Sequence, residues 1–148
     1  MKIIANNKKA TYDYDISLKI NSGLVLTGSE VKSLRINSSS IKEAYVQEQK
    51  GELWLCNCYI KNYHSSSDKA NDPIRKRKLL ISKKELNKLL GSIKKDGFSI
   101  IPISIYFNEN GLVKINIGLG RGKKKYDKRQ SQKLKDWNKN KQRLLKNN

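Results

Sequence analysis

Two apolar segments on either side of a tight turn limit the possible folds more than any other feature. Apolar side chains alternate along Ser99–Phe107 and again along Val113–Leu119, which is the two-residue period of a β-strand. Between them lies Asn110-Gly111, the dipeptide that most strongly favours a short hairpin turn. We therefore predict an antiparallel hairpin. The apolar face of its first strand is expected to consist of Ile101, Ile103, Ile105 and Phe107.

Weaker patterns upstream extend the hairpin into a small β domain. Alternation predicts a strand over Tyr12–Ile20, a turn at Asn21–Gly23 and a short strand over Leu24–Thr27. A second hairpin is predicted from Ala44–Gln49 and Leu53–Ile60. Closing a small sheet into a barrel removes its edges with few residues. We therefore predict a mainly β fold with some α: an OB-like antiparallel barrel of about six strands.

Two or three helices are predicted outside this barrel. Ser82 and Glu85 have the spacing of a capping box, and Asp96-Gly97 ends the helix that follows. A shorter helix is predicted over Glu30–Arg35, with two cations three residues apart on one face. The apolar stripe of the longer helix consists of Leu86, Leu89, Leu90 and Ile93.

Charge is the second strong feature of the chain. Its 148 residues include 32 Lys or Arg and 13 Asp or Glu, a net charge of +19 that repels itself unless a polyanion is bound. We divide the chain into a barrel domain over 1–120 and a basic tail over 121–148, with Gly118, Gly120 and Gly122 marking the exit from the barrel. The tail should be disordered when free and helical when bound, because its apolar stripe is sparse. That stripe consists of Leu134, Trp137, Leu144 and Leu145, with Lys141 in its middle.

Candidate catalytic groups are few. The single histidine, His64, lies in a serine-rich segment, for which a surface loop is the simpler interpretation. Cys56 and Cys58 would share a strand face, but a metal site would need about two more soft ligands, so core positions explain them better. A nuclease or modifying enzyme would need an acid, a base or a metal cluster in one cleft. We find none, and expect neither an active site nor a cofactor.

Membrane insertion and export are not predicted either. The sequence contains no run of about 18 apolar residues. Its first ten residues are charged and lack the apolar stretch of a signal peptide. We therefore expect a cytoplasmic protein.

Two basic clusters favour RNA as the partner. Arg75–Lys78 contains four consecutive cations, and Arg121–Arg129 places a tyrosine among six cations, a mixture that suits base stacking and phosphate contact. A membrane-binding segment would need more large apolar residues on one side. Six of the 32 cations are Arg, whose planar fork Lys lacks, so we expect geometry to matter at Arg35 and Arg77. A general OB-type RNA-binding or ribosomal protein remains an alternative at this point.

Four segments resemble those of one known family. In chain order they are LTGSEVKSLR at Leu26–Arg35, DPIRKRKLL at Asp72–Leu80, IGLGRGKKKYDKR at Ile117–Arg129 and KDWNKNKQRLLKN at Lys135–Asn147. Their order and spacing are similar to those of the bacterial SsrA-binding protein family, also called small protein B. The resemblance implies an OB-like barrel with outer helices and a basic tail, and no enzymatic activity. It also implies an adaptor that binds transfer-messenger RNA and delivers it with elongation factor Tu to stalled ribosomes for trans-translation.

Residue roles follow from the resemblance together with the basic clusters. Some family members have His where this chain has Tyr12 and Tyr126, and Glu where it has Asn21. The expected RNA-binding residues are Tyr12, Glu30, Lys32, Arg35, Arg75, Arg77, Lys78, Leu80 and Lys114. The expected ribosome-binding residues of the tail are Arg121, Lys123, Lys124, Tyr126, Asp127, Lys128, Arg129, Trp137, Leu144 and Leu145. Among them, the resemblance implies that Tyr126–Arg129 meet the decoding region and that Trp137, Leu144 and Leu145 belong to a helix in the vacant mRNA channel.

Overall fold

The structure is a computed structural model that describes residues 2–36, 39–63, 72–123 and 133–140. Within these ranges it has seven strands and four helices. In chain order these are β1 (Lys2–Asn6), α1 (Lys8–Asp13), β2 (Tyr14–Leu24), α2 (Gly28–Ile36), β3 (Tyr45–Gln49), β4 (Glu52–Cys56), β5 (Arg77–Leu80), α3 (Lys83–Asp96), β6 (Ser99–Phe107), β7 (Val113–Gly122) and α4 (133–140).

All seven strands belong to one antiparallel sheet. The strand order is β1-β6-β7-β2-β5-β4-β3, and the sheet curls until β3 packs against β6. Ile105, Ile115 and Ile117 are fully buried inside this curl, together with Leu55 and Leu79. The predicted OB-like antiparallel barrel is confirmed. The strand count rises from about six to seven because β1, which lacks a clear alternation, pairs with β6.

The predicted turn at Asn21–Gly23 is wrong, because β2 continues through it. Asn21, Ser22 and Gly23 pair in register with three consecutive residues of β7. That ladder holds these turn-prone residues in an extended conformation. The strand also begins later than predicted, since Tyr12 belongs to α1.

The hairpin of β3 and β4 is confirmed, and so is its turn. Lys50 and Gly51 both have positive φ, at 52° and 76°, as a tight turn requires. However, β4 ends at Cys56 rather than Ile60, because Asn57 also has a positive φ of 57° and interrupts the strand. Cys56 and Cys58 are both buried free thiols, as expected of core cysteines.

The predicted apolar face of β6 is divided by an irregularity in its pairing. The register shifts between Pro102 and Ser104, so that Ile105 faces the core while Ile101 and Ile103 lie on the outer face. There they fill the space above Gly120 and Gly118, where a Cβ would come within 2.8 and 2.9 Å of them. These two glycines are therefore paired residues of β7 and do not mark an exit from the barrel.

Both predicted helices are present at nearly the predicted positions. Ser82 caps α3, where its Oγ accepts a hydrogen bond from the backbone N of Glu85 over 3.2 Å. Gly97 ends the helix with a left-handed φ of 68°. Helix α2 extends one or two residues beyond the predicted Glu30–Arg35 at each end.

Candidate nucleic-acid interface

Helix α2 begins with a reciprocal pair of hydrogen bonds. The Oγ1 of Thr27 accepts from the backbone N of Glu30 over 3.2 Å, and Oε1 of Glu30 accepts from the backbone N of Thr27 over 2.9 Å. This is a capping box, which satisfies two backbone donors that the first turn of a helix leaves open. It also fixes the carboxylate of Glu30 at the start of α2.

The same carboxylate binds two guanidinium groups, that of Arg75 just before β5 and that of Arg77, the first residue of β5. Nε of Arg77 lies 2.7 Å from Oε2 of Glu30, and Nε of Arg75 lies 3.2 Å from the same oxygen. Arg77 also donates to the backbone carbonyls of Cys58 over 2.6 Å and Pro73 over 3.1 Å. A single buried Arg at the start of β5 therefore connects α2, the segment after β4 and the segment before β5.

The protonation of this cluster follows from its contacts. Burial by itself raises the pKa of Glu30, but hydrogen bonds from Arg75, the Thr27 amide and Arg77, with the charge of Arg77, outweigh it. The pKa of Glu30 therefore lies below its ordinary value of 4.5, and the carboxylate is ionised at neutral pH. Burial raises the pKa of the neighbouring Cys58 thiol above 9.0, an effect that Arg77 only partly opposes.

Two of the predicted RNA contacts need correction. The Arg77 side chain is 0% exposed and Glu30 is 4% exposed, so neither offers a surface to RNA. The prediction that Arg77 contacts RNA directly is wrong for this structure, because its donors are turned to Glu30, Cys58 and Pro73. Both residues fix the position of α2, and Arg77 also holds the segments around Cys58 and Pro73, so their effect on RNA binding is expected to be indirect.

The four consecutive cations Arg75–Lys78 do not form one patch. Arg75 and Arg77 bind Glu30, whereas Nζ of Lys78 lies 3.1 Å from Oε1 of Glu52 on β4. Neighbouring residues of a strand point to opposite faces, so Arg77 and Lys78 cannot share a surface. Lys76 and part of Arg75 remain exposed.

Three other predicted residues do come together. Arg35 at the end of α2, Leu80 at the end of β5 and Lys114 on β7 line one groove, with a cavity volume of about 370 Å³. Leu80 is 56% exposed there, and Leu112 beside it is 58% exposed. Cations thus flank an exposed apolar floor, although the three predicted residues lie 34 or more positions apart in sequence.

Gly23 completes the floor of this groove and was missed as a site residue. It pairs with Leu80 on one side and Lys114 on the other, and a Cβ at Gly23 would lie 3.0 Å from Cβ of Leu80. A glycine inside a strand signals a close approach, and that signal was available in the sequence. The turn-prone residues Asn21 and Ser22 before it predict a turn there instead.

A second group of predicted residues lies at the other end of β7. Arg121 stacks on the Phe98 ring with 4.8 Å between the guanidinium carbon and the ring centroid. The backbone N of Lys123 donates to the carbonyl of Asp13 over 2.9 Å. Nζ of Lys135 lies 5.6 Å from the ring centroid of Tyr12. Lys114 and Arg121 are seven residues apart along β7, about 23 Å, so this group is not part of the groove.

Comparison with known proteins agrees with the fold and with the sequence motifs. The family model described as SmpB protein matches residues 4–147. The chain belongs to this family. Similar curated proteins include the SsrA-binding protein of Ehrlichia canis, 49% identical over 148 residues and covering 100% of both chains. That of Rhizobium meliloti is 48% identical over 145 residues, covering 98% of this chain and 91% of the relative.

A solved structure gives the same answer in three dimensions. A chain from work on tmRNA–SmpB in the bacterial ribosome superposes with a TM-score of 0.66 and 43% identity, covering 81% of this chain and 84% of that one. The family suggested by the four sequence segments is therefore confirmed.

The remaining predicted positions are divided between described and undescribed segments. Lys32 is exposed on α2, with Nζ 5.9 Å from the Tyr63 ring centroid. Trp137 is 59% exposed on α4. Seven tail positions and His64 lie outside the described residues; the tail positions are Lys124, Tyr126, Asp127, Lys128, Arg129, Leu144 and Leu145.

The described residues contain no helix long and apolar enough to cross a membrane. Nor do the described residues bring together three or more His, Cys, Asp or Glu side chains that could hold a metal ion.

Proposed function

We propose that this chain binds the tRNA-like part of transfer-messenger RNA and delivers it, with elongation factor Tu, to stalled ribosomes for trans-translation. Membership of the SmpB family supports this function, as do the relatives named SsrA-binding protein. The similar solved chain comes from work on tmRNA–SmpB and the bacterial ribosome. The proposed role of this chain is binding rather than catalysis, and its proposed place of action is the cytoplasm, where ribosomes translate.

The observation that carries the proposal is the groove between α2, β5 and β7. It places the cations of Arg35 and Lys114 around the exposed side chains of Leu80 and Leu112. Cations can pair with phosphates while the apolar floor packs against a ribose or a base, which is how proteins recognise the shape of a folded RNA. Residues from three separate elements converge there, so the groove depends on the fold and not on local charge.

The buried cluster of Glu30, Arg75 and Arg77 holds in place the elements that form the groove. Glu30 lies near the start of α2 and Arg35 near its end, so the ion pairs that hold Glu30 also fix the helix that presents Arg35. Arg77 is the first residue of β5, the short strand that also contains Leu79 and Leu80. A rigid base keeps the Arg35 and Leu80 walls at a constant separation, so less conformational entropy is lost when RNA binds.

The tail carries the second half of the proposed function. We propose that the barrel, whose last strand β7 ends at Gly122, binds the RNA and that the tail after it reports an empty mRNA channel. Helix α4 exposes Leu134 and Trp137, at 62% and 59%, which is the apolar stripe a helix needs to pack inside a channel. Tyr126–Arg129 would meet the decoding region, and Leu144-Leu145 would continue the stripe of the helix.

A gel-shift titration tests the groove directly. The RNA is a transcript of the tRNA-like part of transfer-messenger RNA at moderate salt. We expect Lys114→Ala to weaken binding by about fivefold or more, because one good phosphate or base contact is worth about 1–3 kcal/mol. The matched control is Lys88→Ala on α3, which removes the same charge from an exposed helix face. Equal affinities for both variants would overturn the groove, and failure of the unmodified protein to bind would overturn the proposed function.

A further inference from the structure

Asn7 is a buried residue that attaches α1 to the barrel. It follows β1 and is 7% exposed. Its Oδ1 accepts a hydrogen bond from the backbone N of Ala10 over 3.2 Å and so caps the start of α1. Its Nδ2 donates to the backbone carbonyl of Pro102 on β6 over 3.0 Å and, at the longer distance of 3.5 Å, to that of Ile41. Its backbone N donates to the carbonyl of Ile103 over 2.8 Å.

Helix α1 is small and buries little of its own surface. It is six residues long, which is too short for a helix to be stable by itself in water. Within α1, all of whose residues are described, Ala10 is the one buried side chain, whereas Lys8, Lys9 and Thr11 are exposed. The position of α1 therefore depends strongly on the hydrogen bonds that Asn7 makes to the barrel.

The last turn of α1 holds the residue at which the tail leaves the barrel. Strand β7 ends at Gly122, which pairs with Tyr14. The backbone N of Lys123 then donates to the carbonyl of Asp13 over 2.9 Å, and its Nζ donates to the carbonyl of Thr11 over 3.2 Å. Both acceptors belong to the end of α1, where a helix leaves its carbonyls without partners of its own. A movement of α1 therefore displaces Lys123 and the start of the tail.

We propose that Asn7 is a positioning residue for the tail: it fixes α1 on the barrel, and α1 sets the direction in which the tail leaves. Asn7 is buried and acts through α1 rather than by touching RNA or the ribosome. A tail that leaves in one direction stays near the channel that it must enter, so its effective concentration there is higher than that of a tail on a swivelling root. This inference rests on the proposed function, because it concerns the role of the tail in ribosome rescue.

Amide hydrogen exchange of the full-length protein shows whether Asn7 holds the start of the tail. Asn7→Ala removes the cap and both side-chain donors, whereas Asn7→Ser keeps an oxygen that can cap α1 but is too short to reach Pro102. In both variants we expect the Lys123 amide to exchange about tenfold faster or more, because its acceptor at Asp13 is no longer held in place. The Ile117 amide in the core of β7 should keep its rate, whereas a general loss of stability would accelerate both.

Tagging of stalled products and affinity for the tRNA-like transcript are measured on the same proteins. We expect tagging to fall about tenfold in Asn7→Ala and Asn7→Ser, while RNA affinity stays within about twofold of that of the unmodified protein. The matched control is Ser82→Ala, which removes the N-cap of α3 and should change neither tagging nor the exchange of the Lys123 amide.

The proposal is overturned by unchanged exchange at Lys123, by equal acceleration at Lys123 and Ile117, or by tagging that falls no further than RNA affinity. An Asn7→Ser protein that behaves like the unmodified one would also overturn it, since the cap would then suffice without the bond to Pro102. If the unmodified protein supports no tagging, the proposed function fails instead.

Discussion

Nε of Arg77 lies 2.7 Å from Oε2 of Glu30, and the Arg77 side chain is completely buried. A buried guanidinium group such as that of Arg77 is costly in a protein interior unless its charge is paired and its N–H donors are hydrogen-bonded. Glu30, Cys58 and Pro73 together accept from Nε, Nη1 and Nη2 of Arg77. The pair therefore has a structural function, although both residues belong to motifs that suggested RNA contact.

Replacing Arg77 should destabilise the fold. Arg77→Lys keeps the charge but cannot reach one carboxylate and two carbonyls at once, which leaves buried polar groups unpaired. We expect a loss of about 3–5 kcal/mol in the free energy of unfolding, measured by urea denaturation. Lys78→Ala removes an exposed pair with Glu52 and should cost less than about 1 kcal/mol. An Arg77→Lys protein with unchanged stability but weakened RNA binding would restore the direct-contact interpretation.

The lowered pKa of Glu30 predicts how stability depends on pH. A carboxylate whose pKa is depressed in the folded state contributes stability above its unfolded pKa, and that contribution is lost as pH falls through the folded pKa. The unfolding free energy should therefore decrease below about pH 4.5, and less steeply in Glu30→Gln, which has no proton to gain. Glu52→Gln serves as the exposed control. Identical acid slopes for all three proteins would mean that Glu30 is not the titrating group.

Gly23 should be required for RNA binding more than for folding. An added Cβ would lie 3.0 Å from Cβ of Leu80, so Gly23→Ala must displace the floor of the groove. We expect RNA affinity to fall several-fold. Gly91→Ala on α3 is the matched control: nothing lies within 4 Å of its Cβ, and the change should add up to about 1 kcal/mol of helix stability. A Gly23→Ala protein that binds RNA as tightly as Gly91→Ala would remove Gly23 from the site.

The sequence predicted most elements of this fold correctly. Alternation and the turn residues located the β6–β7 hairpin, and the capping box located α3. The sequence pattern misleads where long-range pairing overrides local preference. Asn21–Gly23 favours a turn by residue type, yet pairing with β7 keeps it extended. The pairing irregularity at Ile103 and strand β1 likewise depend on the partner strand.

The candidate site was only partly predictable for a similar reason. Charge and motif selected Arg35, Leu80 and Lys114, and the fold brings these three together. The same criteria selected Arg77, because a sequence does not show which cation of a run faces inward. Which cation faces inward is set by the alternation of side chains along β5, and that alternation depends on the residue at which the strand begins.

Salt dependence should reveal how many phosphates the barrel contacts. If about five phosphates are neutralised, the logarithm of the binding constant should fall against the logarithm of salt concentration with a slope of roughly −4. Lys114→Ala should reduce that slope by about one, whereas Lys88→Ala should leave it unchanged. Binding that hardly changes between low and moderate salt would contradict a phosphate-binding groove.

Removing the tail should separate RNA binding from ribosome rescue. Lys123 bonds to Thr11 and Asp13, so the deletion should begin after it and leave 1–123 intact. We expect the shortened protein to stay folded, to keep most of its affinity for the tRNA-like transcript and to support no tagging of stalled products. Trp137→Ala with Leu144→Ala should show a milder form of the same loss. A shortened protein that still supports tagging would leave the tail without its proposed role.

The central claim is that the groove between α2, β5 and β7 holds the tRNA-like part of transfer-messenger RNA. A photoreactive phenylalanine analogue at position 112, whose natural Leu112 is 58% exposed in the groove, tests it most directly. Irradiation in living cells should cross-link this variant to transfer-messenger RNA at a site in its tRNA-like part, whereas the same analogue in place of Asn87 on α3 should give no adduct. A cross-link at position 87 and none at position 112 would contradict the groove as the RNA-binding surface.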